Sequence, residues 1–309
     1  MSTLVFYSEF DSFDEWSALL APHLPGVTIC RAETVQDPDD VHYALVWKPP
    51  QGFFAPYRHL RLLVNLGAGV DSLVGRDDLP EIPIVRLSDP DMARMMASYV
   101  LFAVLRYARD IPAFERAQRE QRWHYLHPRA PSGIRVGVMG LGELGAYAAR
   151  ELARQGFDVR GWSRSQKEIA DIRCHSGLGS LNDFLSQSDI LVVMLPLTPQ
   201  TSGLLSAERL AHLPQGAAFI NVSRGAIVDQ AALTAALRSG QIAEATLDVF
   251  DREPLPPHDP LWQLDNVLIT PHLASVALPA SAAQQVAENI QRAARGEPVT
   301  HQVFPARGY

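Results

Sequence analysis

The chain has 309 residues, of which 47% are hydrophobic and 20% charged, and its formal net charge is −7. This composition is ordinary for a globular protein, and the length exceeds what one hydrophobic core usually supports, so we predict two domains. The acidic balance argues against a nucleic-acid-binding protein. No stretch approaches the roughly 18 uncharged apolar residues of a membrane span.

The chain contains two cysteines, Cys30 and Cys174, far apart in the sequence. Their spacing fits neither a metal site nor a disulfide framework, so we predict no bound metal. The first residues lack the basic segment and the long apolar run of a signal peptide. We therefore expect a cytoplasmic protein whose partners include neither nucleic acid nor a membrane.

The first third of the chain alternates short apolar runs with helical patterns, which is typical of an α/β protein with a parallel sheet. A helix is expected near residues 16–21. A longer helical pattern extends from Asp91 to Gln118, and its length predicts a helix that passes from one domain into the next. The predicted strands of this region begin at Leu4, Val27, Ala44, Leu60 and Ile82.

The segment His127–Gly133 has the composition of a linker, and a second series of predicted strands follows it. Six β-rich runs with helical patterns between them indicate a doubly wound parallel sheet, the Rossmann architecture. A last helix is expected at about 279–295. The six runs begin at Ile134, Phe157, Asp189, Ala217, Glu244 and Asn266.

We therefore predict an α/β fold with a Rossmann cofactor domain and a smaller flavodoxin-like substrate domain. Residues 99–274 are expected to form the dinucleotide-binding domain. Residues 1–98 and 275–309 are expected to form the substrate-binding domain, because the long helix leads out of it and the last helix leads back.

A glycine motif, Gly140-x-Gly142-x-x-Gly145, lies between a predicted strand and a predicted helix. The first glycine permits a tight turn, the second lets the backbone approach a pyrophosphate, and the third lets the helix pack close to the strand. Free N–H groups at the start of the helix, around Glu143 and Leu144, are expected to bind the phosphates. Glycine triplets also occur in ordinary turns, and from the motif alone that alternative stays open.

The second strand of this domain leads into GWSRSQK, Gly161–Lys167, without the acid that usually binds the ribose of NAD. An acid here would repel the 2′-phosphate of NADP, whereas an arginine binds it through two parallel hydrogen bonds. We therefore predict NADPH in preference to NADH, with Arg164 as the principal phosphate ligand. The alternative is a solvated basic loop. The supporting residues are Trp162, Ser163, Ser165 and Lys167.

Polar residues follow the last three predicted strands, namely Arg224, then Asp248 and Glu253, then His272. The carboxyl ends of parallel strands share one crevice. Hydride transfer to a carbonyl leaves negative charge on its oxygen, and a histidine is the usual proton donor. We predict that His272 donates this proton, that Glu253 orients the ring and favours its charged form, and that Arg224 holds the substrate carboxylate. Each residue also has a purely structural alternative.

Five stretches resemble signatures of the D-isomer-specific 2-hydroxyacid dehydrogenases: GLGELG, LPLTPQTSGLL, NVSRGAIVDQAALTAAL, ATLDVFDREPLP and ITPHLAS. The resemblance covers nearly the whole chain. ALVWKPP, LGAGVDSL, GWSRS and the terminal ARGY make the chain most similar to the glyoxylate/hydroxypyruvate reductase A subgroup, which uses NADPH.

The resemblance implies that Arg224, Glu253 and His272 are the catalytic residues. It also implies that a loop of the smaller domain binds the substrate carboxylate through backbone N–H groups and that Trp47 faces the substrate. The alternative for Trp47 is a core aromatic at the end of a strand. The residues of that loop are Leu66, Gly67, Ala68 and Gly69. The further cofactor contacts it implies are Leu195, Pro196, Thr201, Val222, Ser223, Ala274 and, beside the nicotinamide carboxamide, Asp248.

The chain departs from the family pattern in the interdomain helix. Many members carry Ala-Glu followed by His, whereas this chain has MASYV, Met96–Val100, so that the acid becomes Ser98. Lys48, beside the substrate-facing tryptophan, has no assigned role. The resemblance further implies a homodimer with a cleft that closes on the substrate. Trp123 either caps the partner's cleft or packs against its own helix.

These features predict an NADPH-dependent reductase of small 2-oxo acids, with glyoxylate and hydroxypyruvate as the leading substrates and 2-hydroxy acids as products. One alternative is an NAD-linked D-2-hydroxyacid dehydrogenase for another 2-oxo acid, against which the missing acid after Trp162 argues. The other alternative is a dinucleotide-sensing, corepressor-like binding protein of similar fold.

Overall fold

The structure is a computed structural model that describes residues 2–304. The terminal ARGY stretch, which contributes to the family resemblance, lies outside these residues. The chain divides into two compact units: unit 1 is Met1–Met92 with Val276–Tyr309, and unit 2 is Ala93–Ser275. Within residues 2–304, no helix combines the length and the apolar character needed to cross a membrane.

The strands and helices alternate along most of the chain. The strands are β1 (Ser2–Tyr7), β2 (Val27–Arg31), β3 (Val41–Val46), β4 (Leu62–Asn65), β5 (Ile84–Arg86), β6 (Arg135–Met139), β7 (Asp158–Ser163), β8 (Arg173–Ser176), β9 (Ile190–Val193), β10 (Ala217–Asn221), β11 (Ile242–Leu247) and β12 (Val267–Ile269). The α-helices are α1 (Phe13–Leu20), α2 (Pro90–Ala108), α3 (Ile111–Arg119), α4 (Glu143–Arg154), α5 (Leu181–Ser186), α6 (Ala207–Leu210), α7 (Gln230–Ser239) and α8 (Pro279–Ala294).

Unit 1 is built on a five-stranded parallel sheet in the order β2-β1-β3-β4-β5. This is the flavodoxin-like order, as predicted. Because side chains alternate between the faces of a strand, each strand contributes to two cores. Leu4 and Leu45 pack with Trp16 of α1 and Ile290 of α8 on one face, while Val5 belongs to the cluster on the other.

The predicted helix over 91–118 is two helices in the structure. The first, α2, ends at Ala108, and α3 begins at Ile111. Asp110, between them, has a left-handed backbone with φ 55°. Aspartate tolerates this conformation better than most residues, and Pro112 suits the first turn of a helix, where its missing N–H has no cost. Asp110 and Pro112 are a helix-start signal in the sequence that the prediction of one long helix overlooked.

Unit 2 is built on a seven-stranded parallel sheet in the order β12-β11-β10-β9-β6-β7-β8. The order is that of a doubly wound Rossmann sheet with one more strand at its edge, which confirms the predicted fold class. The sequence predicted six of these seven strands and missed β8, which lies at the opposite edge from β12. Its residues, Arg-Cys-His-Ser, are partly exposed and mostly polar, as an edge strand permits.

The course of the chain reverses at β6, which lies between β7 and β9. Ligands of such sheets bind outside the carboxyl ends of the strands at this switch point. The glycine turn lies there, where a Cβ on Gly145 would collide with the carbonyl oxygen of Gly140, while the same position on Gly142 is open. Helix α4 therefore packs closely against β6 and leaves the turn accessible from outside.

We expect Gly145→Ala to destabilise unit 2. The added methyl group forces α4 away from β6 at a cost of about 2 kcal/mol, which lowers Tm by roughly 4–8 °C for a unit of this size. Gly142→Ala is the matched control, and because its methyl group meets open space we expect a loss of only about 0.5 kcal/mol. Calorimetry or circular dichroism measures both, and equal losses in the two variants would contradict the packing argument.

Candidate active site

The glycine turn between β6 and α4 presents free backbone donors. Helix α4 has Gly142 as its N-cap and no side-chain cap, so its first N–H groups are not bonded by a capping side chain. Gly142 and Glu143 are exposed, and Leu144 is half-buried. A helix N-terminus of this kind favours an anion by its dipole and its N–H groups. The residues present therefore fit the pyrophosphate of a dinucleotide.

The loop after β7 separates into a buried part and an exposed part. Trp162 is 4% exposed, and its indole N–H donates to the carbonyl of Gly177 at 3.0 Å. The Ser163 hydroxyl donates to the carbonyl of Ser165 at 2.7 Å, so its proton stabilises the loop. Arg164, Ser165 and Lys167 are exposed at the carboxyl edge of the sheet.

The loop after β9 is closed by Thr201. Its hydroxyl accepts from the N–H of Thr198 at 2.8 Å and donates to the carbonyl of Pro196 at 2.7 Å. Leu195, at the start of the loop, is buried at 8% exposure. The structure thus gives Thr201 a role in shaping the loop, while its expected contact with the cofactor stays a prediction.

Arg224 lies in the turn after β10, and buried hydrogen bonds organise that turn. The Asn221 side chain accepts from the N–H and the hydroxyl of Ser223 and donates to the carbonyl of Arg224. The Arg224 guanidinium donates to the carbonyl of Ser223 at 2.7 Å. Val222 is buried beside them. Sequence reasoning missed Asn221, although a polar residue at the end of an apolar strand was a detectable signal.

The turns after β10 and β11 are in close contact. A Cβ on Gly225 would collide with the backbone of Phe250 and Asp251, so only glycine allows this approach. The contact links the turn that carries Arg224 to the loop that carries Glu253. Gly225 is a second residue that sequence reasoning missed.

Glu253 and His272 form the central contact of the candidate site. Oε2 of Glu253 lies 2.8 Å from Nδ1 of His272, and Oε1 accepts from the N–H of Phe250 at 3.1 Å. Because a carboxylate only accepts, Nδ1 carries the hydrogen, and Nε2 is the nitrogen left for other chemistry. The side chains of His272 and Glu253 are 28% and 23% exposed, so the pair remains accessible.

Asp248 is the most buried acid near this pair, at 1% exposure. Its carboxylate accepts from the N–H groups of Leu273 and Ala274, each at 2.9 Å, and from the Thr270 hydroxyl at 2.6 Å. These bonds make Asp248 part of the turn that carries His272, which the sequence did not indicate. Its expected contact with the nicotinamide carboxamide stays a prediction, as does that of Ala274.

The predicted substrate loop follows β4 in unit 1. The Asn65 side chain donates to the carbonyls of Gly67 and Gly69 at 2.9 and 2.8 Å and thereby orients the loop. One expectation is corrected: the N–H of Leu66 donates to the carbonyl of Val46 at 2.9 Å and is bonded within the sheet. The candidate donors are therefore the N–H groups of Gly67, Ala68 and Gly69.

Trp47 packs on this loop. A Cβ on Gly67 would lie 2.5 Å from the indole ring, so the ring and the loop backbone are in direct contact. Lys48 has a left-handed backbone with φ 44°, and its Nζ lies 5.7 Å from the centre of the Trp47 ring. The Ser98 hydroxyl, where the family has an acid, donates to the carbonyl of Met95 in its own helix.

Comparison with known proteins supports a family assignment. The sequence-family model for the NAD binding domain of the D-isomer specific 2-hydroxyacid dehydrogenases matches residues 101–274. A glyoxylate/hydroxypyruvate reductase A from Serratia proteamaculans is 39% identical over 312 residues, with 99% of each chain covered. A relative from Yersinia enterocolitica with the same name is 38% identical over the same share.

Solved structures agree with this result. A D-isomer specific 2-hydroxyacid dehydrogenase from Xanthobacter autotrophicus Py2, in complex with NADPH and MES, is 63% identical with a TM-score of 0.97, covering 100% of this chain and 99% of that one. An NADPH-dependent glyoxylate/hydroxypyruvate reductase from Sinorhizobium meliloti, in complex with NADP and sulfate, is 34% identical with a TM-score of 0.94 over the full length of both chains. The chain belongs to the D-isomer specific 2-hydroxyacid dehydrogenase family.

Proposed function

We propose that this protein reduces small 2-oxo acids to 2-hydroxy acids with NADPH, and that glyoxylate and hydroxypyruvate are its substrates. The observation that carries the proposal is the Glu253–His272 contact of 2.8 Å at the carboxyl edge of the unit 2 sheet. Support also comes from the names of the relatives and from the NADPH and NADP complexes of the similar structures.

The proposed proton transfer follows from the bonding of the imidazole. Nδ1–H stays bonded to Glu253, which holds the ring in one orientation. The bound nicotinamide supplies the hydride that reaches the carbonyl carbon. Nε2 of His272 then gives its proton to the carbonyl oxygen, so that one hydride and one proton convert the 2-oxo acid to the alcohol.

Two further groups are proposed to bind the substrate. The Arg224 guanidinium has a fixed charge and a planar fork, which suit a carboxylate and a carbonyl oxygen on which charge develops. In unit 1, the N–H groups of Gly67, Ala68 and Gly69 are proposed to bind the carboxylate. Trp47, which packs on this loop, is proposed to face the rest of the substrate.

The cofactor preference is proposed from the charge at the end of β7. The exposed loop there contains Arg164 and Lys167 and no acid before Glu168. A 2′-phosphate carries a charge near −2, which a guanidinium partly neutralises through two hydrogen bonds. The open position at Gly142 is proposed to admit the pyrophosphate.

We expect NADPH to be preferred over NADH by at least about tenfold in kcat/KM, or roughly 1.4 kcal/mol. Arg164→Ala removes the phosphate ligand, so it should lower kcat/KM for NADPH and leave that for NADH nearly unchanged. Arg150→Ala, at an exposed position on α4, is the control for a general loss of positive charge. A wild-type protein that uses both cofactors equally would refute the proposed preference.

We expect His272→Asn to lower kcat by roughly 10²–10⁴ because it removes the proton donor. Asparagine is the better replacement than alanine, since it tolerates the left-handed backbone at φ 54°. His258→Asn, in the exposed loop near Glu253, is the control and should keep full turnover. The assay follows NADPH oxidation with glyoxylate, hydroxypyruvate and pyruvate. Near-normal turnover in His272→Asn contradicts the assignment, and no turnover of the wild type with any 2-oxo acid favours a sensing protein instead.

A homodimer is proposed from the family resemblance and from large apolar side chains that unit 2 exposes. These are Phe102 (52% exposed), Leu105 (38%), Trp123 (98%) and Tyr125 (73%). Side chains of this size are commonly covered in protein interfaces. An exposed tryptophan in particular is the type of residue that carries binding energy at an interface.

Sedimentation equilibrium should report a dimer for the wild type. Phe102→Asp places a charge on the proposed interface and should shift the protein towards the monomer. Phe10→Asp changes a phenylalanine of unit 1 that is even more exposed, at 78%, and should leave the dimer intact. A monomeric wild type, or the same shift in both variants, would contradict the proposed interface.

A further inference from the structure

His272 lies in a turn with an unusual backbone. Its φ of 54° is in the left-handed region, which a histidine keeps only where its surroundings hold it. The backbone carbonyl of Asp248 accepts from the N–H of His272 at 2.9 Å. The carboxylate of the same residue accepts from the N–H groups of Leu273 and Ala274. Asp248 therefore holds the turn at His272 and at the two residues that follow it.

A chain of hydroxyl groups connects Asp248 to helix α2. The Thr270 hydroxyl lies 2.6 Å from Oδ1 of Asp248, and the Tyr99 hydroxyl lies 2.5 Å from the Thr270 hydroxyl. A carboxylate accepts only, so the single hydroxyl hydrogen of Thr270 points to Asp248. Tyr99 must then donate to Thr270. Hydrogen bonds that point the same way along a chain strengthen one another.

The Tyr99 hydroxyl keeps its hydrogen across the neutral pH range. Burial, followed by the nearby charge of Asp248, raises the pKa of Tyr99 to about 12. Tyr99 is therefore a constant donor at any pH where an enzyme of this kind works.

We propose that Tyr99 is a positioning residue for the reaction, which acts through Thr270 and Asp248 to hold the strained turn that carries His272. The proposal rests on the proposed function, in which His272 donates the proton. None of the Tyr99 contacts described above involves the imidazole. Tyr99 acts by fixing the position of the ring relative to Glu253. A displacement of about 1 Å at a reacting group is enough to cost roughly 10²-fold in rate.

Helix α2 contains its own control. Tyr107, eight residues after Tyr99, has its hydroxyl 2.5 Å from the hydroxyl of Thr246. This pair has the same chemistry and joins the same helix to the same sheet. Thr246 lies within β11 rather than beside the His272 turn. The two tyrosines therefore differ in where their threonine lies: Thr270 is bonded to Asp248 beside the His272 turn, and Thr246 lies within a strand.

The experiment compares Tyr99→Phe with Tyr107→Phe. Each variant loses one hydroxyl that is hydrogen-bonded to a threonine, partly buried for Tyr99 and buried for Tyr107, so we expect losses in Tm of roughly 2–4 °C. Only Tyr99→Phe should lower kcat, by about tenfold. KM for NADPH and for glyoxylate should stay within about twofold of wild type in both variants, because neither hydroxyl is proposed to touch a ligand.

A second pair tests the route through the threonine. Thr270→Val should lower kcat at least as much as Tyr99→Phe. Thr270→Ser keeps the hydroxyl and should keep kcat near that of the wild type. Thr246→Val should leave kcat unchanged. Because Tyr99 acts through Thr270, adding Tyr99→Phe to Thr270→Val should produce no further loss. These variants keep the proposal testable if one substitution prevents folding.

The outcomes separate the two proposals. Equal kcat in Tyr99→Phe and Tyr107→Phe, beside an inactive His272→Asn, overturns the positioning role alone. A rise in KM together with a fall in kcat and a larger loss of Tm in Tyr99→Phe also overturns it, because that result indicates a general structural role. Full activity in His272→Asn overturns the proposed function and the positioning role with it.

Discussion

The buried carboxylate of Asp248 is the constraint on which the candidate site depends. A charge at 1% exposure is stable only when donors surround it, and here the donors are two backbone N–H groups and one hydroxyl of the segment 270–274. Satisfying the charge therefore folds this segment tightly around it. The cost of the left-handed backbone at His272 is offset by the same bonds, and the imidazole is left pointing at Glu253.

The order of the unit 2 sheet brings the remaining groups to the same edge. β10, β11 and β12 are neighbours, so Arg224, Glu253 and His272 leave the sheet side by side although 48 positions separate the first from the last. The close approach at Gly225 holds the first of these turns against the second. The site is thus supported by rigid strands and by short turns whose hydrogen bonds are internal, which is what preorganised chemistry requires.

Groups in both units support the proposed cofactor and substrate, which are both anionic. The end of β7 has basic residues where an acid would select the ribose of NAD, and the helix N-terminus at Gly142 offers donors to a pyrophosphate. In unit 1, the amide of Asn65 binds two loop carbonyls and so turns the loop in a defined direction. In the proposal, basic side chains and backbone N–H groups together bind the anionic cofactor and the anionic substrate, in a chain whose net charge is −7.

The sequence by itself determined the fold class, the order of most strands and the residues at their carboxyl ends, because apolar alternation and glycine spacing are local patterns. The prediction left out β8, whose residues are mostly polar, and the break at Asp110 between α2 and α3. Only the tertiary structure decided that the N–H of Leu66 is bonded within the sheet and that Tyr99 reaches Thr270, 171 positions away. Hydrogen-bond partners of this kind depend on which strands become neighbours, and a linear pattern of residue types does not contain that information.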